Sequence, residues 1–371
     1  MSNTSKVWSI HSNYLPGQVL NLKMKENWKS KKDSTSAVRK DSTNRKSIEN
    51  GIFVNGTSFS PSQSSPLSDV TTSSSASHQE EKMLSDVALL NSMSIRYKKF
   101  QALLENNVID LEQLRKLSWS GIPEEIRATV WKVLMGYLPT NTERRDATLE
   151  RKRKEYEEFY AQTKSGGLDE SLHHQVRILY CWAIRHPASG YVQDCQDVSN
   201  VSKLEQDTLT KVEADSFWCL TKLIDGIQDN YTFSQPGIQR QVARLKELVH
   251  RVDVTLSNHL AKEQVEFIQF AFRWMNCLLM REVSLKTTIR MWDTYMAEGS
   301  EGFSDFHLYV CAAFLCKFSQ ELKKKDFQEI MIFLQNIPTS NWGEKEVEIL
   351  LSEGFYYKSL FHNSPSHLNK N

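Results

Sequence analysis

The side chains that could take part in chemistry are scattered, and most lack the neighbours that a reaction requires. The stretch HPASGYVQDCQDV, from His186 to Val198, is an exception, because a tyrosine, two glutamines and two aspartates follow a proline-broken helix. Asp194 stands directly after Gln193, where a tight turn would ordinarily require glycine. This stretch is the first candidate for a functional loop.

Other signatures of catalysis or metal binding do not occur in the sequence. There is no GxxxxGK[ST] or GxGxxG phosphate loop, and no serine or cysteine has the flanking residues of a nucleophile. His173 and His174 are adjacent on a predicted helix and point apart, so they cannot chelate a metal together. The six cysteines form no zinc-type CxxC pairs and are expected to be buried free thiols. The sequence predicts neither a metal nor another cofactor.

The overall composition is that of an ordinary globular chain. The 371 residues are 40% apolar and 25% charged, with a formal net charge of +1, so no strong field favours a nucleic-acid partner. The longest apolar run, Phe306–Cys316, is too short to span a bilayer, and the N-terminus lacks the apolar run of a signal peptide. We therefore expect a cytoplasmic protein that is not an integral membrane protein and does not bind nucleic acid.

Residues 1–85 are predicted to form a disordered basic tail. They are rich in serine and threonine, and their aliphatic content is too low to offset the entropy of ordering. Within this tail, Ser42 and Ser47 follow basic residues and are candidate phosphorylation sites for a phosphoserine-binding adaptor. A solvated basic tail without such a partner is the alternative. Residues 363–371 are predicted to be a second disordered tail.

From residue 86 onward the apolar residues recur with a helical period. Residues 86–118 are predicted to be a helical lead-in, after which Gly121 breaks the chain and Pro123 starts a helix. The segment RRDATLERKRKEYEEFYAQ is predicted to be a charged helix that is solvated on most faces, and Val265–Val283 a single helix buried at the centre of the domain. No alternating strand of useful length is present, so the predicted fold class is all-α.

Six short sequence motifs follow one another along the chain: WSGIPEEIRATVWKVLMGYLP, WAIRHPASGYVQ, ADSFWCL, QFAFRWMNCLLMREV, TIRMWDTYMAEG and LQNIPT. In this order they closely resemble the TBC-domain family, the GTPase-activating proteins for Rab GTPases, and within it the Golgi-associated subgroup with a long Ser-rich N-terminal tail. The resemblance implies a helical domain of two subdomains, over residues 119–210 and 211–362. It also implies a Rab-family GTPase as the partner and a peripheral location at the Golgi; it leaves a homodimer open.

The resemblance also implies how the domain would act. The family supplies an arginine from an IxxDxxR motif, which bridges charge on the transferred phosphoryl group, and a glutamine from a YxQG motif, which positions the attacking water. Tyr191-Val192-Gln193 matches YxQ, so Gln193 is the implied glutamine finger. Tyr191 would pack the turn, Arg185 would position the loop, and Asp197 would match a later family acid.

Two residue pairs of the C-terminal half match short motifs of the family, and we expect them to support the core. Arg273-Trp274 matches the RW pair, and Trp292-Asp293 matches the WD pair. Because an unpaired buried charge is costly, Arg273 is expected to pair with a carboxylate.

The chain departs from the family pattern at three points around Gln193. No IxxDxxR motif occurs, Asp194 replaces the glycine of YxQG, and no apolar helix follows Asp197. Arg177 aligns with the helix leading into WAIRHP rather than with the arginine finger. These departures predict an internally shortened member whose N-terminal subdomain is incomplete and loosely packed.

Three functions remain open from the sequence. They are a Rab GTPase-activating protein, a catalytically inactive GTPase-binding or scaffold protein, and an all-helical adaptor of unrelated type. In the first two the chain regulates a GTPase and is not itself expected to be an enzyme.

Overall fold

The computed structural model describes residues 73–165, 174–186 and 205–362. Throughout these ranges the chain is built of helices and short turns without a β-strand, and the only pairing of extended backbone is an antiparallel bridge between Val108 and Asn141. The predicted all-α class is confirmed. Within the described ranges, the residues from Leu89 onward form one compact unit.

The helices follow one another with short connections wherever the chain is described. In chain order they are α1 (Ser73–Leu104), α2 (Leu111–Ser118), α3 (Glu124–Leu134), α4 (Arg145–Ser165), α5 (His174–Arg185), α6 (Gln206–Asp225), α7 (Pro236–Val252), α8 (Val254–Lys262), α9 (Ile268–Asn276), α10 (Leu285–Ala297), α11 (His307–Lys317), α12 (Ser319–Leu322), α13 (Phe327–Gln335) and α14 (Glu344–Phe361). A π-helical turn, Gly302–Phe306, precedes α11.

Two of the predicted boundaries differ from the structure. Helix α1 begins at Ser73, inside the segment predicted as a disordered tail, and continues to Leu104 in the predicted lead-in. The predicted subdomain boundary at 210/211 falls inside α6, which runs unbroken from Gln206 to Asp225. The remainder of the predicted tail and the predicted C-terminal tail lie outside the described residues.

The central apolar segment is not the single helix that its composition predicts. Only Ile268–Asn276 is α-helical, and the chain then turns through Leu278 and Leu279, whose φ angles are +50° and +62°. Both leucine side chains are almost fully buried. The turn therefore keeps the apolar side chains in the core while redirecting the backbone toward α10, and burial outweighs the conformational preference of leucine.

The buried side chains form two clusters. The larger contains residues of α2 and α3 together with those of α7 to α14, and Trp274, Tyr295 and Phe314 are among its fully buried members. The smaller joins α4, α5 and α6 through Tyr137, Tyr156, Cys181, Trp182, Ala214, Phe217, Trp218 and Ile224. The core of the N-terminal helices is thus divided between two clusters, and α6 belongs with α4 and α5.

Helix α4 is less solvated than its charge predicts. Tyr156 on this helix is only 2% exposed, and its ring lies 5.0 Å from that of Phe217 on α6. The ring of Phe159 lies 6.2 Å from the same phenylalanine. The predicted loose packing is therefore wrong for the described helices of this half, because aromatic contacts between α4 and α6 close a core of their own.

A buried histidine lies in the larger cluster at the start of α11. The Nε2 of His307 is 3.1 Å from the carbonyl oxygen of Trp274, and its Nδ1 is 2.9 Å from the hydroxyl of Tyr295. Since a carbonyl only accepts, Nε2 carries the proton and Nδ1 accepts from Tyr295. Burial lowers the pKa of His307 to about 4, so the folded protein holds this imidazole neutral.

The free energy of unfolding is expected to fall as pH is lowered from about 6.5 to about 4. In that window the unfolded chain takes up a proton at His307 that the folded chain excludes, because the folded pKa is depressed. The contribution is about 3 kcal/mol for a shift of this size. Urea unfolding at a series of pH values measures it. His307→Asn should remove this component, while His250→Asn, at an exposed site of α7, should retain it; identical pH profiles for all three proteins would contradict the assignment.

Two kinds of feature are absent from the described ranges. None of the helices found there is long and apolar enough to cross a membrane. Nor do three or more histidine, cysteine or acidic side chains of those ranges come together as a metal site.

Candidate functional site

The structure describes some of the residues that the sequence singles out and not others. Gln193, Tyr191 and Asp197 lie outside the described residues, as do Asp194 and the tail serines Ser42 and Ser47. Those within the described ranges are Arg185, Arg273, Trp274, Trp292 and Asp293.

Arg185 ends α5, eight residues before Gln193 in the chain. Its guanidinium carbon lies 5.3 Å from the ring centre of Phe159 on α4 and 5.3 Å from that of Trp218 on α6. The ammonium of Lys152 lies 3.8 Å from the same tryptophan ring. Cation–π contacts of this kind hold an exposed charge in place, so Arg185 sits on an aromatic platform formed by two neighbouring helices.

The residue after Arg185 is also held firmly. The imidazole of His186 stacks on the ring of Trp182, with 4.3 Å between ring centres and 13° between planes. Its Nδ1 is 2.9 Å from the carbonyl oxygen of Trp182, and Trp182 itself is buried. These contacts fix the position of His186 at the end of α5.

Glu213 on α6 ties α4 and α5 together beneath this platform. The carboxylate is buried and accepts a hydrogen bond of 2.6 Å from the hydroxyl of Tyr156 on α4. It also accepts one of 3.2 Å from the Nε of Arg177 on α5. A buried carboxylate needs such partners because desolvation would otherwise destabilise it. Arg177 is thus part of an interhelical ion pair, in agreement with its assignment to the helix rather than to an arginine finger.

Asp215, two residues further along α6, ties in α3 as well. It accepts hydrogen bonds from Arg153 Nε at 2.9 Å, Tyr137 Oη at 2.8 Å and Lys132 Nζ at 2.5 Å. Burial alone would raise the pKa of Asp215, but these hydrogen bonds hold it below its ordinary value. The carboxylate is therefore ionised at neutral pH and anchors three elements to α6.

In the C-terminal half, Arg273 has the carboxylate partner that the sequence predicts. Its Nε and Nη2 donate to the two oxygens of Glu282 at 2.6 and 2.8 Å, and Nη2 also donates to the carbonyl of Leu334 at 3.2 Å. The neighbouring Trp274 is fully buried and packs edge-on against Phe314, 5.2 Å between ring centres. These contacts support the core around α9.

The WD pair joins α10 to the segment that contains α3. Trp292 packs against the ring of Trp131, 6.3 Å between centres. The carboxylate of Asp293 is fully buried and accepts from the backbone N–H of Ile122 at 2.9 Å, Trp131 Nε1 at 2.7 Å and Arg127 Nε at 3.1 Å. Burial raises the pKa of Asp293 in spite of these hydrogen bonds.

Gly121 makes the approach to Asp293 feasible. Its φ angle is +101°, in the left-handed region that favours glycine, and a Cβ there would lie 2.8 Å from the Nε of Arg290. At the predicted break before α3, the backbone of Gly121 therefore packs closely against the side chain of Arg290 on α10. It delivers the N–H of Ile122 to the buried carboxylate.

The acids of α6 and their partners on α3 and α4 were not identified from the sequence. A usable signal exists, because Glu213 and Asp215 directly precede the buried Phe217-Trp218 pair on one helix. An acid that shares a helix with a buried aromatic stripe must find a cation, and RKRKEYEEFYAQ supplies both cations and aromatic residues. The aromatic residues at 156, 159 and 160 share one face of α4, and this spacing indicates a buried face.

The fold and these contacts define a known class of protein. The Rab-GTPase-TBC domain family matches residues 124–323, just over half of the chain, and the chain belongs to that family.

Named relatives and a solved structure agree with this membership. The GTPase-activating protein gyp1 of Schizosaccharomyces pombe is 48% identical over 334 residues, covering 77% of this chain and 65% of that protein. TBC1 domain family member 22A of Mus musculus is 46% identical over 356 residues, covering 83% of this chain and 68% of that protein. The chain therefore spans about two thirds of the length of these relatives.

Among solved structures, the chain is similar to the crystal structure of the Ypt/Rab-GAP domain of Gyp1p. The two share 45% sequence identity and a TM-score of 0.66. The match covers 72% of this chain and 98% of the solved one, so nearly the whole of that domain has a counterpart here.

Proposed function

We propose that the chain is a Rab GTPase-activating protein, which binds a GTP-loaded Rab GTPase and stimulates its GTP hydrolysis. The observation that carries the proposal is the match to the Ypt/Rab-GAP domain of Gyp1p at 45% identity over 98% of that domain. The protein would act as a regulator and would not itself turn over a small-molecule substrate.

In this proposal Gln193 positions the water that attacks the terminal phosphate. A slow GTPase site lacks two contributions, stabilisation of the charge in the transition state and orientation of the attacking water, and Gln193 would supply the second. The platform under Arg185 and the stacking of His186 support this role, because they fix the end of α5 from which the segment with Tyr191, Gln193 and Asp197 departs. Arg185 would serve as a positioning residue.

A second candidate is a protein that binds a GTPase without accelerating hydrolysis. No IxxDxxR motif occurs, and Asp194 brings a negative charge next to the place proposed for the triphosphate, at a cost on the order of 1–4 kcal/mol. The alignment with gyp1 is 334 residues long but covers 77% of the 371 residues of this chain, which is about 286 residues. The alignment therefore includes positions of gyp1 that have no counterpart in this chain. This supports an internally shortened chain.

The two candidates are separated by single-turnover GTP hydrolysis on a panel of purified Rab GTPases, with binding measured in parallel. A GTPase-activating protein should accelerate phosphate release, and Gln193→Ala should abolish the acceleration. Gln196→Ala is the matched control, since it removes the same side-chain type three residues away. An arginine finger contributes roughly 10³–10⁵-fold, so its loss should keep the stimulation well below that of a two-finger protein.

Each outcome decides between the candidates. Acceleration that depends on Gln193 and not on Gln196 supports the activating protein. Binding to a GTP-loaded Rab without acceleration supports the second candidate. If no Rab in the panel binds, both are wrong.

Other expectations from the sequence stay predictions. They are phosphorylation at Ser42 and Ser47 with a phosphoserine-binding adaptor, a homodimer, and peripheral association with the Golgi. Tail deletion followed by imaging and by sedimentation analysis would check the last two.

A further inference from the structure

An exposed phenylalanine stands at the tip of the turn between α6 and α7. The side chain of Phe233 is 83% exposed, the largest exposure of any big apolar side chain in the described ranges. The next two residues, Ser234 and Gln235, have φ angles of +62° and +46°. Successive left-handed residues other than glycine are strained and persist only where the surrounding structure holds them, often at binding sites.

The turn is held by contacts on both sides of Phe233. Tyr231 Oη donates to the carbonyl of Asn276 at 3.0 Å, and Gln239 Nε2 donates to the carbonyl of Ser234 at 2.6 Å. Gly237 packs so closely that a Cβ would lie 2.4 Å from Asn230 Oδ1. The phenylalanine is therefore presented by a preformed turn, which lowers the entropy lost when a partner binds.

A groove with an apolar floor begins beside this turn. It has a volume of about 450 Å³ and lies between Ser234-Gln235, α7 and the start of α9. Buried Val242 and Phe267 form its floor, whereas Ile268 and Phe272 are 45% and 37% exposed along its wall. At the rim, Lys246 and Glu266 form an exposed ion pair of 3.6 Å. The groove is large enough for one or two apolar side chains of another protein.

The turn lies toward the same end of α6 as the start of the segment that contains Gln193. Helices α5 and α6 run side by side in the same direction, since Arg177 meets Glu213 and Arg185 meets Trp218. From Trp218 to the end of α6 at Asp225 the rise is about 10 Å. The chain then passes through a 3-10 helical turn, Gln228–Asn230, into the turn with Phe233.

We propose that Phe233 and the adjoining groove form a second contact surface for the GTP-loaded Rab GTPase. The groove takes an apolar side chain from a GTPase segment that is ordered by the terminal phosphate, and Phe233 packs against the same segment. This inference rests on the proposed function. A stable dimer of this chain would need to bury about 800 Å² of surface on each partner. One turn and one groove provide less surface than that, so they are better suited to be a secondary part of a larger interface.

The test measures the affinity of the full chain for Rab GTPases loaded with a non-hydrolysable GTP analogue. Phe233→Ala should weaken binding at least tenfold, which corresponds to 1.4 kcal/mol, because buried aromatic residues dominate interface energetics. The melting temperature should not change, since the side chain is exposed. Leu285→Ala is the matched control, as Leu285 is 72% exposed at the start of α10 and lies outside the groove.

A photo-crosslinking residue at the same position identifies the occupant directly. The variant Phe233→benzoylphenylalanine should form a covalent adduct with the GTP-analogue-loaded Rab and not with the GDP-loaded form. An adduct with a second copy of the chain would overturn the inference. So would unchanged affinity of Phe233→Ala for a Rab that the unaltered chain binds, although the proposed function would then stand. Absence of any Rab binding by the unaltered chain would overturn both.

Discussion

Asp293→Ala is expected to lower the free energy of unfolding by about 3–5 kcal/mol, the range for removing one member of a buried charged pair. The carboxylate is fully buried and is the acceptor for Arg127, for the indole of Trp131 and for the backbone of Ile122. Its loss leaves all three donors without this acceptor in the interior. Urea unfolding monitored by tryptophan fluorescence measures the change.

Two further substitutions make this result specific. Asp293→Asn keeps an oxygen acceptor but loses the charge, so its effect should be intermediate. Asp207→Ala removes an acid whose ion pair with Lys211 is exposed, and the loss should stay within about 1 kcal/mol. A loss of less than 1 kcal/mol for Asp293→Ala would show that the network around α10 contributes little.

The second large effect is expected for Gly302→Ala. A Cβ at Gly302 would lie 1.9 Å from the carbonyl oxygen of Tyr295 and 2.7 Å from its carbonyl carbon, so the backbone must move. The π-helical turn that begins at Gly302 brings the rings of Phe303 and Phe306 to 5.4 and 5.7 Å from that of Tyr295. Displacing it should cost about 3 kcal/mol, the upper end of the usual range for overpacking, or roughly 6–12 °C in melting temperature for a domain of this size.

Gly343→Ala provides the matched control for that substitution. At Gly343 the nearest atom to a Cβ would be Glu346 Oε2 at 3.5 Å, an ordinary contact, and φ is −111°. Because Gly343 is the N-cap of α14 and alanine is a poorer N-cap than glycine, the expected loss is up to about 1 kcal/mol, still well below that for Gly302→Ala. Similar melting temperatures for Gly302→Ala and the unaltered protein would contradict the proposed backbone clash.

Periodicity predicted the helices well where one face is apolar and the ends carry standard signals. Helix α3 begins directly after Pro123 and α7 begins at Pro236, and both keep their apolar stripes in the core. The same reasoning failed for α4, because its charges hide the aromatic residues that α6 covers. It failed again after Asn276, where burial of Leu278 and Leu279 imposes a turn that no local propensity favours.

Among the contacts described around the candidate site, the ion pair of Arg273 could be predicted from the sequence and the partners of Asp293 could not. A carboxylate partner for Arg273 follows from the cost of burying an unpaired charge, and Glu282 fills that role. The partner of Asp293 could not be deduced in this way, since the residues that it binds lie in a different helix far away in sequence. Sequence motifs identify the family to which a chain belongs, but contacts such as that between Arg153 and Asp215 can be identified only from the three-dimensional structure.

The contacts between α10 and the segment around α3 also bear on how the protein is made. Ile122 and Asp293 are 171 residues apart, and Trp119 and Glu298 are 179 apart. A ribosome adding about 5–20 residues per second needs roughly 9–36 s to add that many residues. During this time the apolar faces of α2 and α3 emerge without their eventual neighbours, so nascent chains of this protein should engage chaperones at the N-terminal end of the domain until α10 has left the exit tunnel.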